Sequence, residues 1–295
     1  MTRSHPPTLL TLTKRTLVEE CGVQKGAHVL LALSGGGDST ALLHVLAVLS
    51  KKLGFELSAH GVDHGLRVEA AAELARAEMH CGALGVAFSR TQLELRDGGN
   101  LQARAREARR AALVAAAATV GADSIATAHH ADDRAETMLI RLLRGSGPRG
   151  LAVLPARSGV WIRPLSRARK SDVRAHLERH ELSFAEDPSN ANRRFLRTRV
   201  RLELLPLLEE LSPQIVGHLC ALADALALVP NADGAADALG VALELNRAQR
   251  NLVGRALSLR QRSARVSLPG GRELSLDPVT LRPLLTAARP RLRKR

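Results

Sequence analysis

Ser34-Gly35-Gly36-Gly37-Asp38-Ser39 has the composition of a phosphate cradle. Glycines let a backbone approach a ligand without Cβ collisions. The apolar, helically spaced residues that follow predict a helix whose free N–H groups and positive dipole end point at the loop, which makes an anion site. Ser34 and Ser39 can donate to phosphate oxygens. Asp38 would repel phosphate directly and makes sense as a ligand of Mg²⁺ bridging to it. The segment is neither G-x-x-x-x-G-K-[ST] nor G-x-G-x-x-G. A tight turn with an aspartate helix cap is the alternative reading.

A second cluster, ATAHHADDRAE, spans 126–136. If one helix holds it all, His129, Asp133 and Glu136 fall at i, i+4 and i+7 on a single face. Asp132 and Asp133 suit a helix N-terminus. Two alternatives stay open, a zinc site and an ordinary cap with surface charges. Arginines gather at Arg104, Arg106, Arg109 and Arg110. Such a run serves either phosphate neutralisation or a solvated helix face.

Both clusters need elements that bring them together. Short apolar runs at 27–33, 56–62, 85–89 and 124–128 read as buried strands. Helical patterns at 39–53, 68–84, 101–120 and 131–144 separate or follow them. The alternation predicts an α/β fold, a parallel twisted sheet with helices on both faces. Ligands of such sheets bind at the carboxyl ends of the strands, where both clusters lie. Turn chemistry at 145–150 closes the pattern. Helices are expected at 170–181 and 195–211, the latter bent or divided at Pro206. From about residue 215 the character changes. An apolar helix over 215–229, a linker over 230–236, a helix over 245–259, a hairpin over 266–276 and a basic tail predict a small, mainly helical second domain. The expected domains are 1–214, catalytic, and 215–295.

The 295 residues suffice for such a pair of domains. Only 2% are aromatic, with no tyrosine and one tryptophan, so aliphatic side chains build the core and little aromatic surface remains for stacking bases. A formal charge of +14, mostly from arginine, favours a polyanionic partner, although arginine-rich composition also follows from genome bias. Cys21, Cys81 and Cys220 form no C-x-x-C pair, so neither a thiol–metal signature nor a disulfide framework is expected. No signal peptide or membrane-length apolar run is read, and a cytoplasmic location without membrane association is expected.

Ser34 to Ser39 resembles the SGGxDS loop of the N-type ATP pyrophosphatases, or PP-loop enzymes. The run ATAHHADDRAETMLIRLLRGSGPRGL is similar to the HHxDDxxET…LLRGSG signature of the tRNA(Ile)-lysidine synthase family within that class. His64-Gly65-Leu66-Arg67 resembles the family's NHGLR, with Asp63 for the usual Asn. The segment 100–109 resembles N-x-E-A-x-A-R-x-x-R, with Gln102 for Glu. Arg163-Pro164-Leu165, then Asp187-Pro188-Ser189-Asn190 and Phe195-Leu196-Arg197, resemble RPL…DxSN…FxRN, with Thr198 for Asn. The resemblance covers about 27–210.

The resemblance implies a carbon–nitrogen ligase. ATP would adenylate C2–O of the wobble cytidine in the CAU-anticodon isoleucine tRNA, releasing pyrophosphate. Free L-lysine would then displace AMP to form lysidine. It implies ATP binding by Ser34, Gly35, Gly36, Gly37, Asp38 and Ser39, and Mg²⁺ at Asp38. Catalytic roles would fall to Asp38, His129, Asp133, Glu136 and Arg109. Substrates would be held by Asp133, Glu136, Arg106, Arg197 and Arg201. Family members are often homodimers. The C-terminal arginines Arg247, Arg250, Arg255, Arg260 and Arg262 are candidates for tRNA contacts on charge alone. Rival readings are a tRNA cytidine thiolase, disfavoured by the missing C-x-x-C, a silent RNA-binding relative, disfavoured by intact motifs, and a small-molecule ligase, disfavoured by the charge.

Overall fold

The alternation of apolar runs and amphipathic segments produces a six-stranded sheet of order β3-β2-β1-β4-β6-β5 in the computed structural model. The structure describes residues 7–63, 69–93, 101–185 and 193–228, and the strands at 265–267, 273–276 and 283–286. In chain order the sheet strands are β1 (His28–Leu33), β2 (Glu56–Asp63), β3 (Ala87–Gln92), β4 (Ser124–Ala126), β5 (Arg157–Ser158) and β6 (Trp161–Ile162). All neighbours run parallel except β5 and β6, which pair antiparallel as a hairpin edge absent from the sequence reading.

Every residue of β1 is buried, as a central parallel strand requires. Its alternate side chains serve two cores. Val29, Leu31 and Leu33 pack with α2 (Gly37–Leu53), through Leu42, Val45, Leu46 and Leu49. Leu30 and Ala32 join Leu113 and Ala117 of α4 (Leu101–Val120) and Trp161. Helices therefore cover both faces, as expected. Arg110 lies 4.3 Å over the Trp161 ring and caps this second core. The first core also receives α1 (Leu9–Arg15), extended by one π-helical turn over Thr16–Glu20, and α3 (Glu69–Leu84).

After β4 come α5 (Ala131–Leu143) and the short α6 (Pro148–Leu151). Next is α7 (Lys170–Arg179), which packs on α2. The helix expected over 195–211 is continuous but not uniform. α8 (Leu196–Arg199) passes through a π-helical turn, Val200–Leu204, into α9 (Leu205–Leu211). Pro206 sits in the first turn of α9, where the wider turn before it accommodates the missing N–H.

α10 (Ile215–Leu228) belongs to the first of two compact units, which divide between Ala227 and Leu228 rather than at 214/215. Its Val216, Leu219, Cys220 and Ala223 share a core with Ala131, Ala135 and Met138 of α5, and this buried face holds it in the first unit. The second unit is described only as β7 (Arg265–Ser267), β8 (Glu273–Leu276) and β9 (Pro283–Thr286), an antiparallel sheet of order β7-β8-β9. The expected hairpin is present and gains a third strand. The helix expected over 245–259 and the five C-terminal arginines lie outside the described residues. Among the described residues, no single helix is long and apolar enough to cross a membrane.

Candidate active site

β1 and β4 are neighbours, but the connections that follow them lead to opposite sides of the strand order, β1 to β2 and β4 toward β6. The order 3-2-1-4 reverses there, and a crevice opens at the strands' carboxyl ends. The glycine loop follows β1 and the acidic–histidine cluster follows β4, so the two motifs flank that switch point.

The loop is held by its own serines. The Ser39 hydroxyl donates to the Gly36 carbonyl at 2.9 Å, lies 3.1 Å from the Ser34 hydroxyl and accepts from the Ser34 N–H at 3.3 Å. Gly36 starts α2 without a side-chain cap, which leaves the helix's positive end to a ligand. The three glycines differ in role. Gly35 has φ +80°, and a Cβ there would stand 2.6 Å from the Glu73 carbonyl oxygen. A Cβ on Gly37 would crowd Phe184 and Leu177 at 3.1 and 3.2 Å. These two are demanded by the fold. At Gly36 the Cβ would meet only the Ser34 hydroxyl at 3.7 Å, so this is the glycine whose missing side chain keeps ligand space open. The strand-like segment before residue 186 crosses the loop, with the Ala185 N–H donating to the Gly35 carbonyl at 3.1 Å.

The second cluster is not one helical face. α5 begins at Ala131, with His130 as its N-cap, so His129 precedes the helix and only Asp133 and Glu136 share its periodicity. A reciprocal cap fixes the start. The Asp133 N–H donates to His130 Nδ1 at 3.3 Å, and the His130 N–H donates to Asp133 Oδ2 at 3.1 Å. With Nδ1 accepting, the imidazole proton sits on Nε2, 3.7 Å from Asp38 Oδ2. His130 thus joins the two motifs across the switch point. Burial lowers its pKa, but Asp38, Asp133 and Asp132 outweigh that and raise it. Asp38 also accepts from Lys170 Nζ at 2.5 Å. Burial raises Asp38, yet His130 and Lys170 hold it down at about 2.

The remaining carboxylates are compensated by arginines. Asp132 accepts from Arg169 at 2.9 and 3.1 Å and from the Lys170 backbone N–H at 2.7 Å, which anchors the start of α7 beside the loop. Arg169 also reaches Glu209. Asp133 Oδ1 accepts from Arg197 Nη2 at 2.7 Å. Glu136, 1% exposed, accepts from Arg197 Nε at 2.8 Å and from Arg201 Nε and Nη2 at 2.6 and 3.1 Å. Burial raises the Asp133 pKa, but His130, Arg197 and His129 bring it below the usual carboxylate value. With their oxygens so occupied, Asp132, Asp133 and Glu136 do not form the zinc site left open by the sequence.

His129 lies beside this network, its Nδ1 2.9 Å from the Thr127 hydroxyl. Burial, with Arg163, Arg197 and Arg106 nearby, pushes it down to about 4 against the opposing Asp133 charge. It is therefore neutral at pH 7. Arg109 is lowered first by burial and then by Arg106, so the expected pair Arg106 and Arg109 forms one positive locus on α4. The segments containing His64 to Arg67 and Asp187 to Asn190 lie outside the described residues.

Sequence reasoning missed Lys170 and the linking role of His130. A signal for Lys170 exists: it is the sole lysine between Lys52 and Lys294 in a chain that otherwise uses arginine. A flexible ammonium, unlike a guanidinium fork, is a compact point charge suited to phosphate.

Residues 9–208 match the family model described as a PP-loop domain. Curated relatives include the tRNA(Ile)-lysidine synthases of Pseudomonas fluorescens, 41% identical over 193 residues, and Nitratidesulfovibrio vulgaris, 40% identical over 214 residues. The first match covers 64% of this chain and 43% of the relative, the second 68% and 61%. The chain thus spans about half the length of the curated relatives it matches. A solved structure, the U34-tRNA thiolase NcsA of Methanococcus maripaludis with its [4Fe–4S] cluster, superposes with a TM-score of 0.64 at 21% identity. That match covers 75% of this chain and 81% of the thiolase, and it supports the fold.

Proposed function

The chain belongs to the PP-loop domain family, and on that premise we propose that it ligates L-lysine to C2 of the wobble cytidine of the CAU-anticodon isoleucine tRNA, at the expense of ATP. The observation that carries this reading is the Lys170–Asp38–His130 chain, which ties an uncapped phosphate loop to the acidic cluster at one switch point. The name shared by the curated relatives, tRNA(Ile)-lysidine synthase, supports this choice of substrates. The charge of +14 suits a polyanionic partner.

In the proposed reaction the cytosine O2 attacks the α-phosphorus of ATP, the α–β anhydride bond breaks and pyrophosphate leaves. The lysine ε-amine, having lost its proton, forms a bond to C2, and AMP departs with the C2 oxygen. The start of α2 and Lys170 would hold the phosphates where charge develops. Arg106 and Arg109 add positive potential. Mg²⁺ would be held at Asp38, which is ionised and one-third exposed, and would supply neutralisation of developing phosphate charge. The substrate ammonium would compete for Asp133 and Glu136 with Arg197 and Arg201. Their side chains are 42% and 38% exposed, and on this reading they would leave the carboxylates for phosphate.

Thiolation is the less favoured reading. Cys21, Cys81 and Cys220 are buried, and none belongs to a cluster of three ligating side chains among the described residues. Burial pushes Cys21 up to about 11 and Cys81 up to about 12, away from thiolate chemistry.

The test is ATP-dependent incorporation of radiolabelled lysine into an unmodified isoleucine tRNA transcript with anticodon CAU. Labelling that vanishes when the wobble cytidine becomes uridine is the expected result. ATP cleavage to AMP and pyrophosphate without labelling overturns the choice of nucleophile or acceptor.

A further inference from the structure

α2 and α7 both start at the phosphate loop and run side by side away from it. Each carries histidine one step further along. His44 follows Asp38 by six residues on α2, and His176 follows Lys170 by six on α7. His180, the C-cap of α7, lies at i+4 from His176, so both rings leave the same face of that helix.

The three rings converge. Their centroids are 4.4, 4.5 and 5.0 Å apart, with interplanar angles of 36–59° that preclude parallel stacking. His44 Nδ1 and His176 Nε2 are 3.0 Å apart, and one nitrogen from each of the three rings lies within 4.8 Å of the others. Among the described residues this is the one set of three potential ligating side chains closed so tightly. Tetrahedral zinc, with Zn–N bonds of about 2.0–2.1 Å, sets ligand nitrogens about 3.3 Å apart. The closest pair already sits near that spacing, and small rotations of the exposed His180 ring bring in the third. His-x₃-His on a helix with a third ligand from a neighbouring element is a recurrent zinc arrangement. Imidazole ligands must be neutral to offer a lone pair. Burial, His180, His44 and Arg179 push His176 down to about 4, and burial with His180 lowers His44.

We propose that His44, His176 and His180 form a binding site for a divalent transition-metal ion of the zinc type, with a fourth position open to solvent beside His180. Its metal clasps α2 to α7 about 9 Å along each helix from the Asp38–Lys170 contact, at a rise of 1.5 Å per residue. It is separate from the nucleotide crevice and independent of which substrates the enzyme joins.

The full-length chain, purified without a histidine tag and stripped with chelator, is titrated with Co²⁺ and then with Zn²⁺. The expected result is one equivalent of Co²⁺ with the intense visible d–d bands of a tetrahedral site, displaced by Zn²⁺. Bound Zn²⁺ should raise the melting temperature. His180→Ala alters an exposed ring at a helix end and should keep the fold while weakening Zn²⁺ by about a hundredfold or more. His218→Ala, an exposed control, should bind as the parent does. Tetrahedral Co²⁺ bands that persist in His180→Ala would place the metal elsewhere. Absence of binding in the parent chain would make the three rings a hydrogen-bonded cluster. Either result overturns the proposal.

Discussion

Glu136→Gln probes whether the buried carboxylate of α5 organises the site or contacts substrate. Glu136 is 1% exposed and accepts three hydrogen bonds from Arg197 and Arg201. The amide keeps one acceptor oxygen and the side-chain volume but removes the charge that compensates two guanidinium groups. Removing one partner of a buried ion pair costs about 3–5 kcal/mol. Arg197 and Arg201 keep 42% and 38% of their side-chain exposure, and Asp133 Oδ1 remains 2.7 Å from Arg197. Water and Asp133 therefore recover part of the loss, leaving about 2–3 kcal/mol.

For a unit of this size, about 2–4 °C accompanies each kcal/mol, so the melting temperature should fall by about 4–12 °C. Circular dichroism melts of Glu136→Gln, Arg201→Gln and the double variant measure it. The double variant should be less destabilised than the sum of the singles by about 1 kcal/mol or more, since both changes remove the same pair. Tight adenylation with weakened lysine transfer should accompany the loss, because the arginines are no longer parked on Glu136. An unchanged melting temperature would refute the reasoning, since the contacts of Glu136 with Arg197 and Arg201 would then hold nothing in place.

Gly35→Ala and Gly36→Ala should separate fold from ligand. The first places Cβ 2.6 Å from the Glu73 carbonyl at φ +80° and should cost about 2–4 kcal/mol of stability, read by denaturant titration. The second should melt like the parent yet lose ATP affinity by calorimetry, and equal melts for the two would contradict the distinction. Lys170→Ala should weaken ATP about tenfold without a matching stability loss, and Lys170→Arg should not restore it; full rescue by arginine would show that charge alone suffices. The Asp38 carboxyl is depressed from its ordinary 3.8 to about 2, so its contribution to stability is complete above pH 3.8 and disappears as pH falls through about 2. The stability difference between parent and Asp38→Asn, followed by acid titration, should be flat above pH 4 and shrink below it; a difference that persists unchanged to pH 2 would remove the ion-pair explanation.

The two motifs were legible in the sequence because each is local. The glycines, the flanking strand and helix patterns and the HHxDD run lie within single loop-to-helix transitions, and hydrophobic period is enough to place those. β1 shows why the fold class was legible too, since a short apolar run ended by glycines suits a strand covered on both faces. What the sequence hid is tertiary. Glu136 meets Arg197 across 61 residues and Asp38 meets Lys170 across 132, and no periodicity links positions so far apart. The start of α5 at Ala131 is where the sequence puts it, but its cap was hidden, because histidine is not among the usual capping residues.

Those hidden contacts change the chemical meaning of the visible ones. Read alone, Asp133 and Glu136 are open anionic seats for an amine. In the fold they are filled, with two guanidinium groups at i and i+4 on the α8–α9 helix covering Asp133 and Glu136 at i and i+3 on α5. The π-helical turn Val200–Leu204 lies within that helix and contains Arg201. Under the proposed function, a filled seat suits two successive substrates of opposite charge. Phosphate arriving first would recruit the arginines, and their departure would expose carboxylates for the ammonium that comes second. The order of substrate binding then follows from charge compensation. Lysine should bind weakly to the free protein and tightly to the adenylated complex. Equilibrium dialysis of labelled lysine, with and without ATP and tRNA, measures this directly. Equal affinity in both states would mean that the arginines never leave Asp133 and Glu136.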